Sequence, residues 1–232
     1  MAKLQPPTEF STRTFKFLKD LKNNNNRTWF QGHKDQYEMF VRDPALAFIE
    51  AFAPRLTAIS PHFVASPKRV GGSLMRIYRD MRFSKNGEPY KTNIGIQFRH
   101  ERGRDVHAPG FYLHVEPGGC FLGAGIWRPE APALRAIRME IADRPNDWRK
   151  VSTNKRFSES FSLSGEQLTR PPKGFSQDSP HLADLRRKDF IAIASVSDAF
   201  VRGRELPASF GSSVKRAAPL MGFLCEALDL AF

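Results

Sequence analysis

The sequence predicts an α+β protein organised around a curved, mainly antiparallel sheet. Apolar residues recur at helical spacing over residues 8–60, and they alternate with polar residues from about 64 to 128. Residues 129–232 mix helical, loop and strand patterns. Short turns separate the alternating segments, which is typical of an antiparallel meander, and we expect the N-terminal and C-terminal helices to pack on the sheet. Since no repeat or linker divides the chain, we expect one domain over 1–232.

Two capping signals predict where the N-terminal helices begin. Ser11 precedes an amphipathic run and can cap the first helix. Thr28, followed three residues later by Gln31, matches the pattern of a capping box, so Thr28 is the expected cap of the second helix. The apolar positions of the first helix are Phe15, Phe17, Leu18 and Leu21.

The stretch 76–91 is dense in cations and aromatic residues. Residues 75–83 alternate as a strand does, and Asn86-Gly87 predicts a two-residue hairpin turn because both residues tolerate positive φ. One face of that predicted strand carries Arg76, Tyr78, Asp80 and Arg82. Guanidinium and phenol groups are suited to holding anions and planar groups, so we expect a ligand-binding surface here.

Polar side chains from the following strands are expected to share one face of the sheet with that surface. They are Asn93, Gln97, Arg99, Tyr112, His114 and Glu116. Gly123 and Gly125, on the next strand, would leave room on this face for a ligand or a close-packed segment. The pattern predicts a pocket; the alternative that stays open is a face that simply meets water, as antiparallel sheets often do.

Positive charge is concentrated in the same region. The chain has 36 Lys and Arg against 24 Asp and Glu, a net charge of +12, and residues 66–107 hold ten of those cations against four of the acids. Such a concentration favours anionic partners: an anionic small molecule, a phosphate group or nucleic acid. The expected contacts in the stretch itself are Arg76, Tyr78, Arg79, Asp80, Arg82 and Lys85, with Asp80 orienting the arginines or accepting from ligand hydroxyls.

Other residue types narrow the possible chemistry. The six histidines show no paired ligand spacing and the two cysteines stand far apart, so we predict no metal site and no cofactor. Two cysteines fit a reducing cytosol, and no apolar run approaches the roughly 20 residues that span a bilayer, so we expect a cytoplasmic protein without a membrane partner. If the protein is an enzyme, His114, Glu116 and Asp80 are the candidate acid/base groups. His114 can equally be an ordinary hydrogen-bonded sheet residue.

A set of motifs spread along the chain resembles a known family. They are Phe17-Leu18, Asn25-Asn26-Arg27, Trp29-Phe30, Lys34, Tyr37, Arg76-x-Tyr-Arg-Asp-x-Arg-Phe-Ser-Lys, Pro89-Tyr-Lys-Thr, Gly110-Phe-Tyr-Leu-His-Val-Glu-Pro-Gly, Gly123-Ala-Gly-Ile-Trp-Arg-Pro and Pro172-Lys-Gly-Phe. In order and content they resemble the bacterial and fungal family catalogued as domain of unknown function 2461. At Asn86-Gly87 relatives commonly carry Asp-Lys, so this chain has one cation fewer in its turn.

The resemblance implies a single domain and adds candidate ligand contacts, but it implies no activity. The added candidates are Trp29, Lys34, Tyr90, Lys91 and Arg128. Our leading hypothesis is a cytoplasmic protein that binds an anionic or phosphate-bearing small ligand, with Tyr78, Tyr90 or Trp29 stacking on it. Two alternatives stay open: a hydrolase or transferase that uses the acid/base groups, and a nucleic-acid-binding or adaptor module. The sequence does not specify the ligand, the pathway or the oligomeric state.

Overall fold

The structure, a computed structural model, describes residues 7–80, 87–103 and 107–232. Within these ranges the α-helices are α1 (Thr12–Asn23), α2 (Arg27–Gly32), α3 (Lys34–Tyr37), α4 (Asp43–Thr57), α5 (Ala131–Asp143), α6 (Pro145–Ser152), α7 (Lys155–Ser158), α8 (Leu182–Leu185), α9 (Asp198–Val201), α10 (Leu206–Lys215) and α11 (Ala218–Ala227). A π-helical turn, Glu38–Arg42, joins α3 to α4. The strands are β1 (Phe63–Val64), β2 (Ile94–His100), β3 (Gly110–Val115), β4 (Phe121–Ile126), β5 (Ser162–Ser164) and β6 (Phe190–Ser195).

These elements form the predicted α+β fold. The six strands make one antiparallel, curved and unclosed sheet in the order β1-β2-β3-β4-β6-β5. The meander β2-β3-β4 lies at its centre because short turns allow sequential strands to pair. The prediction of a sheet flanked by N-terminal and C-terminal helices is confirmed.

Helix α1 begins after its predicted cap, whereas helix α2 begins before the residue that was predicted to cap it. The Ser11 side chain accepts from the Thr14 N–H, and all four predicted apolar positions of α1 are buried. The prediction that Thr28 caps α2 is wrong, because the Asn26 side chain accepts from the Trp29 N–H at 2.9 Å. Asparagine is a strong N-cap, so the helix begins upstream of Thr28.

The apolar face of the sheet packs against the helices through aromatic rings. Phe98 of β2 lies 4.8 Å from Phe52 of α4 and 5.8 Å from Phe210 of α10, measured between ring centroids. Helices α10 and α11 also contact β4. Alternate residues of β2, β3 and β4 therefore point into the core, and their sequence neighbours point to the opposite face.

Before β2 the described residues 74–80 form one arm of an irregular hairpin and not a regular strand; residues 81–83 of the predicted strand 75–83 lie outside the described residues. Leu74 pairs with Ile96, and Tyr78 pairs with Tyr90, each as an isolated antiparallel bridge. Between these bridges three residues on one arm, 75–77, stand opposite five on the other, 91–95, so a continuous ladder cannot form. Gly87 has the expected positive φ of 66°. The remainder of the predicted turn, Asn86 included, lies outside the described residues.

Asn25 attaches this hairpin to the N-terminal helices. Its side-chain amide donates to the Tyr90 carbonyl at 2.9 Å, and its side-chain carbonyl accepts from the Tyr90 N–H at 3.1 Å. Both polar groups of the Tyr90 backbone are thereby satisfied by one side chain. Since Lys91 follows directly, Asn25 also positions the return arm of the hairpin.

We expect Asn25→Ala to lower the free energy of unfolding by about 1–3 kcal/mol, because it leaves two backbone groups of a buried residue without partners. Urea unfolding monitored by circular dichroism measures the change. Asn23→Ala, at an exposed position of α1, is the control and should shift stability by no more than about 0.5 kcal/mol. Equal stability of the two variants would show that Asn25 does not hold the hairpin.

Candidate functional site

The face of the sheet opposite the helices is built from three rows of paired residues. Strand register places Gly95, His114, Phe121 and Ser195 in one row. The next row is Gln97, Tyr112, Gly123 and Ile193, and the third is Arg99, Gly110, Gly125 and Ile191. We call these twelve residues the glycine face. It contains four of the six polar side chains that alternation predicted, Gln97, Arg99, Tyr112 and His114, together with the two predicted glycines.

Two glycines are required here by close approach and by backbone conformation. A Cβ on Gly95 would lie 2.6 Å from the Tyr112 hydroxyl oxygen and 3.0 Å from the Met75 sulfur. Gly125 has φ of 126°, and a Cβ there would meet the Phe190 carbonyl oxygen at 2.0 Å. Any larger residue would displace either a side chain of the face or the backbone of a neighbouring strand.

The glycine face is the floor of an apolar cavity of about 350 Å³. This volume is within the range of small-molecule sites. The cavity is lined by Met75, Gln97, Gly110, Tyr112, Phe121, Gly123, Ala124, Gly125, Trp127, Ile191, Ala192 and Ile193. The predicted pocket is therefore present, although its lining is more apolar than the alternation of Arg and Tyr suggested.

Two basic cavities adjoin the apolar one. The first basic cavity, of about 420 Å³, is lined by Met75, Arg76, Arg79, Lys91, Asn93, Gly95, Tyr112 and His114. The second basic cavity, of about 600 Å³, is lined by Tyr37, Arg42, Arg69, Val70, Gly71, Gly72, Ser73, Leu74, Met75, Arg76, Ile77, Tyr78, Lys91, Gln97 and Arg99. Met75 lines all three cavities, so its thioether lies at their junction. Tyr112 lines both the apolar cavity and the first basic cavity, and Arg76 and Lys91 line both basic cavities.

Several cations around these cavities already have carboxylate partners. Arg79 Nη1 lies 2.9 Å from Glu88 Oε2. Arg42 and Arg69 both contact Glu38, at 2.6 Å and 3.1 Å, and Arg69 also lies 3.6 Å from Asp43. These three arginines are compensated by three carboxylates.

Three other cations around these cavities have no carboxylate partner among the described residues. Arg76, Lys91 and Arg99 make no side-chain hydrogen bond or ion pair with another residue in the described part of the chain. All three line the second basic cavity, and two of them also line the first. Burial, and then the repulsion of Arg76 and Arg79, lower the pKa of Lys91. An anion bound at this junction would relieve that repulsion.

A hydrogen-bond chain runs along the edge of the first basic cavity. His114 Nε2 lies 3.2 Å from Glu116 Oε2, and its Nδ1 lies 3.2 Å from the Tyr112 hydroxyl. A carboxylate only accepts, so Nε2–H donates to Glu116 and Nδ1 accepts the Tyr112 proton in neutral His114. Burial lowers the pKa of His114 while Glu116 raises it, with burial the larger effect. Burial and the charge of Glu116 raise the pKa of Tyr112 to about 12.

The structure brings some of the predicted ligand contacts together and separates others. Arg76, Arg79 and Lys91 share the first basic cavity with His114. Tyr78 lines the second basic cavity and is exposed. Asp80, although described, lines none of the three cavities. The predicted convergence of Asp80 with His114 and Glu116 in one cleft stays a prediction, since of these three residues His114 alone lines one of the three cavities.

The aromatic and peripheral candidates occupy different positions. Tyr90 is 2% exposed and its ring stacks on Phe30 at 4.1 Å, so it is a core residue and not a stacking surface for a ligand. Trp29 stacks on His33 at 4.1 Å within the N-terminal helices. Arg128 stacks on Trp127 at 4.9 Å, which places it at the rim of the apolar cavity. Arg82 and Lys85 lie outside the described residues.

Sequence reasoning did not select Met75, Arg99 or Tyr112 as ligand contacts. Alternation had placed Arg99 and Tyr112 on the correct face, which was the available signal. Met75 was assigned to the apolar side of a regular strand, and the irregular hairpin brings its sulfur over Gly95 instead. Within residues 7–80, 87–103 and 107–232, no group of three or more His, Cys, Asp or Glu is placed to hold a metal ion.

Fold and cavities together define an α+β protein with a curved sheet, an apolar cavity on one sheet face and two basic cavities beside it. The chain belongs to the family DUF2461, described as a conserved hypothetical protein, whose model matches residues 13–223. The resemblance to domain of unknown function 2461 is thus confirmed. No curated protein matches the chain. None of the helices in the described ranges has the length and apolarity to cross a membrane.

We expect His114 to titrate below its ordinary pKa of 6.5, and Glu116→Gln to lower that pKa further, because Glu116 favours the charged imidazole. A pKa below the unfolded value means that neutral His114 stabilises the fold at higher pH and that this contribution is lost as pH falls through the folded pKa. NMR titration of the imidazole signals measures the pKa of His114 in the wild-type protein and in Glu116→Gln.

Glu101→Gln is the matched control for this titration, since Glu101 lies 2.7 Å from His62. It should leave the pKa of His114 unchanged. A pKa at or above 6.5 in the wild-type protein, or no response to Glu116→Gln, would contradict the described chain of contacts.

Proposed function

We propose that this protein binds a small anionic ligand whose charged group lies between Arg76 and Lys91 and whose apolar body enters the cavity over the glycine face. The observation that carries the proposal is the junction itself: one apolar cavity of about 350 Å³ opens beside Arg76 and Lys91, which have no carboxylate partner among the described residues. Pockets that combine an apolar lining with a few convergent polar groups are typical ligand sites.

The positive charges that line both basic cavities support an anionic group at one end of the ligand. Arg76 and Lys91 line both basic cavities, and the pKa of Lys91 is lowered by burial and by neighbouring arginines. A bound phosphate or carboxylate would accept charge-assisted hydrogen bonds from both side chains, each worth about 1.5–3 kcal/mol. Asn93, on the same wall, supplies a neutral donor.

The shape and lining of the apolar cavity support an apolar group at the other end of the ligand. Glycines at 110, 123 and 125 remove side-chain bulk from the floor, and Ile191 and Ile193 supply apolar wall. A hydrocarbon chain placed there would leave water and gain about 0.8 kcal/mol per buried CH₂ group. Two free, buried cysteines, Cys120 and Cys225, support a reducing compartment, so the proposal places the protein in the cytoplasm.

We expect the wild-type protein to bind hexyl phosphate, and the double variant Arg76→Gln with Lys91→Gln to bind it at least about tenfold more weakly. Isothermal titration calorimetry at fixed ionic strength measures the affinity. Lengthening the probe from methyl to hexyl phosphate should tighten binding by about fourfold for each CH₂ group that enters the cavity.

Controls separate this site from general charge attraction. Lys150→Gln removes an exposed lysine of α6 that lines none of the three cavities, and it should bind like wild type. Hexanol, which lacks the charge, should bind far more weakly than hexyl phosphate. The proposal fails if the wild-type protein does not bind hexyl phosphate at millimolar concentration, or if the folded double variant retains wild-type affinity.

The contact between His114 and Glu116 favours an enzyme as the second candidate function, a hydrolase or transferase. With Nε2–H held by Glu116 and Nδ1 accepting from the Tyr112 hydroxyl, His114 could take the Tyr112 proton while the Tyr112 oxygen takes the proton of an attacking hydroxyl. His114 lines the first basic cavity, where the anionic group would lie. Asp80 has no part in this arrangement because it does not line that cavity.

If this second candidate is correct, we expect slow release of phosphate from hexyl phosphate, lost in His114→Gln and reduced in Glu116→Gln. A malachite-green assay measures the phosphate released. Glu101→Gln should keep the wild-type rate. A wild-type rate equal to that of buffer would exclude phosphate-ester hydrolysis while leaving the binding proposal intact.

The nucleic-acid-binding or adaptor module remains the third proposal, supported by the net charge of +12. It differs from the others in its response to salt. Binding of a single-stranded RNA oligonucleotide would weaken steeply between 50 and 200 mM salt, since each neutralised phosphate releases counterions, by roughly 300-fold for six phosphate contacts. The affinity for a small ligand held by two cations would fall far less over the same range of salt concentration.

A further inference from the structure

We infer that the ligand of this site carries two anionic groups joined by a short link, one in each basic cavity, and that Arg99 binds the second group. This inference rests on the proposed function, since it describes the ligand of the same site. The class of ligand it names is an apolar group bearing a diphosphate, or two closely spaced phosphates.

The number of positive charges without a carboxylate partner among the described residues supports two anionic groups on the ligand. Arg76, Lys91 and Arg99 have no carboxylate partner among the described residues, and together they carry three positive charges. A phosphate monoester carries about −1.5 to −2 at neutral pH. One such group would leave about one cation unmatched, in a site where burial already disfavours the charge of Lys91. A second anionic group would match it.

The shape of the two basic cavities supports a short link. Arg76 and Lys91 line both cavities, so a single ligand group between them is at the boundary of each. Arg99 lines only the second cavity. A second group attached directly to the first could therefore reach Arg99 without leaving the contacts at the boundary.

Arg99 lines the second basic cavity, and its side chain has no hydrogen bond or ion pair among the described residues. It lies in β2 opposite Gly110 of β3, which has no side chain to cover the guanidinium. A Cβ on Gly110 would stand 3.4 Å from Gln97 Nε2 and 3.6 Å from Arg99 Cα, so a larger residue would take up space beside Arg99. Arg69 lines the same cavity but contacts Glu38 and Asp43. It is therefore a matched control with its charge already compensated.

Titration of hexyl phosphate and hexyl diphosphate into the wild-type protein, Arg99→Gln and Arg69→Gln tests the inference. We expect wild type to prefer the diphosphate by at least about tenfold. Arg99→Gln should abolish that preference while its affinity for hexyl phosphate stays within about twofold of wild type. Arg69→Gln should keep the preference. Thermal unfolding confirms that each variant is folded.

The outcomes distinguish this inference from the proposed function. If wild type binds both probes equally, or if Arg99→Gln weakens both to the same extent, the second anionic group is refuted although the site itself stands. Should the preference survive in Arg99→Gln, Arg99 is not the residue that binds the second group. Retention of hexyl phosphate by the Arg76→Gln, Lys91→Gln variant would instead refute the proposed function and, with it, the inference.

Discussion

Alternation of side chains along β2, β3 and β4 constrains the whole of this molecule, because each strand must bury one set of residues against the helices. Phe98, between Phe52 and Phe210, is one of the buried set. A shift of one residue in register would move every buried side chain to the opposite face. The glycine face therefore follows from the core: once Ile96 and Phe98 point inward, Gln97 and Arg99 point outward.

The cations reach that face by a different route. Arg76 and Lys91 lie on the two arms of the irregular hairpin, outside the regular sheet. Asn25 satisfies both backbone groups of Tyr90 and so connects the hairpin to the N-terminal helices. The sheet supplies an apolar floor and the hairpin supplies charge, and Met75 lies where the two meet. This division explains why an apolar cavity and two basic cavities share a boundary.

The arginines around the basic cavities are of two kinds: some contact carboxylates, and others could contact a ligand. Arg42, Arg69 and Arg79 contact carboxylates and fix the walls of the basic cavities. Arg76 and Arg99 have no such contacts within the described ranges, which is unfavourable for a protein unless the side chains meet water or a ligand. The sequence shows only a surplus of cations; which of them are paired depends on the placement of Glu38, Asp43 and Glu88.

Much of the site was predictable on the central strands, and less of it on the hairpin. Alternation placed Arg99, Tyr112, His114 and the glycines correctly because strand periodicity is local. Alternation failed over the described part of the hairpin, 75–80, where unequal arms interrupt the ladder. The capping-box pattern failed at Thr28, because the neighbouring Asn26 is the cap that is used. Tyr90 was predicted as a ligand contact from the family resemblance, yet its ring stacks on Phe30, a contact between distant parts of the chain.

By itself, the sequence determined the α+β class, the faces of the central strands, the concentration of positive charge and the family, since these depend on local periodicity, composition and motif order. Only the tertiary structure decided that Met75 lines three cavities, that Asp80 lines none of them, and that Arg76, Lys91 and Arg99 are left without carboxylate partners in the described part of the chain. Those properties depend on distances between residues far apart in sequence, and such distances are set by packing and not by any local pattern.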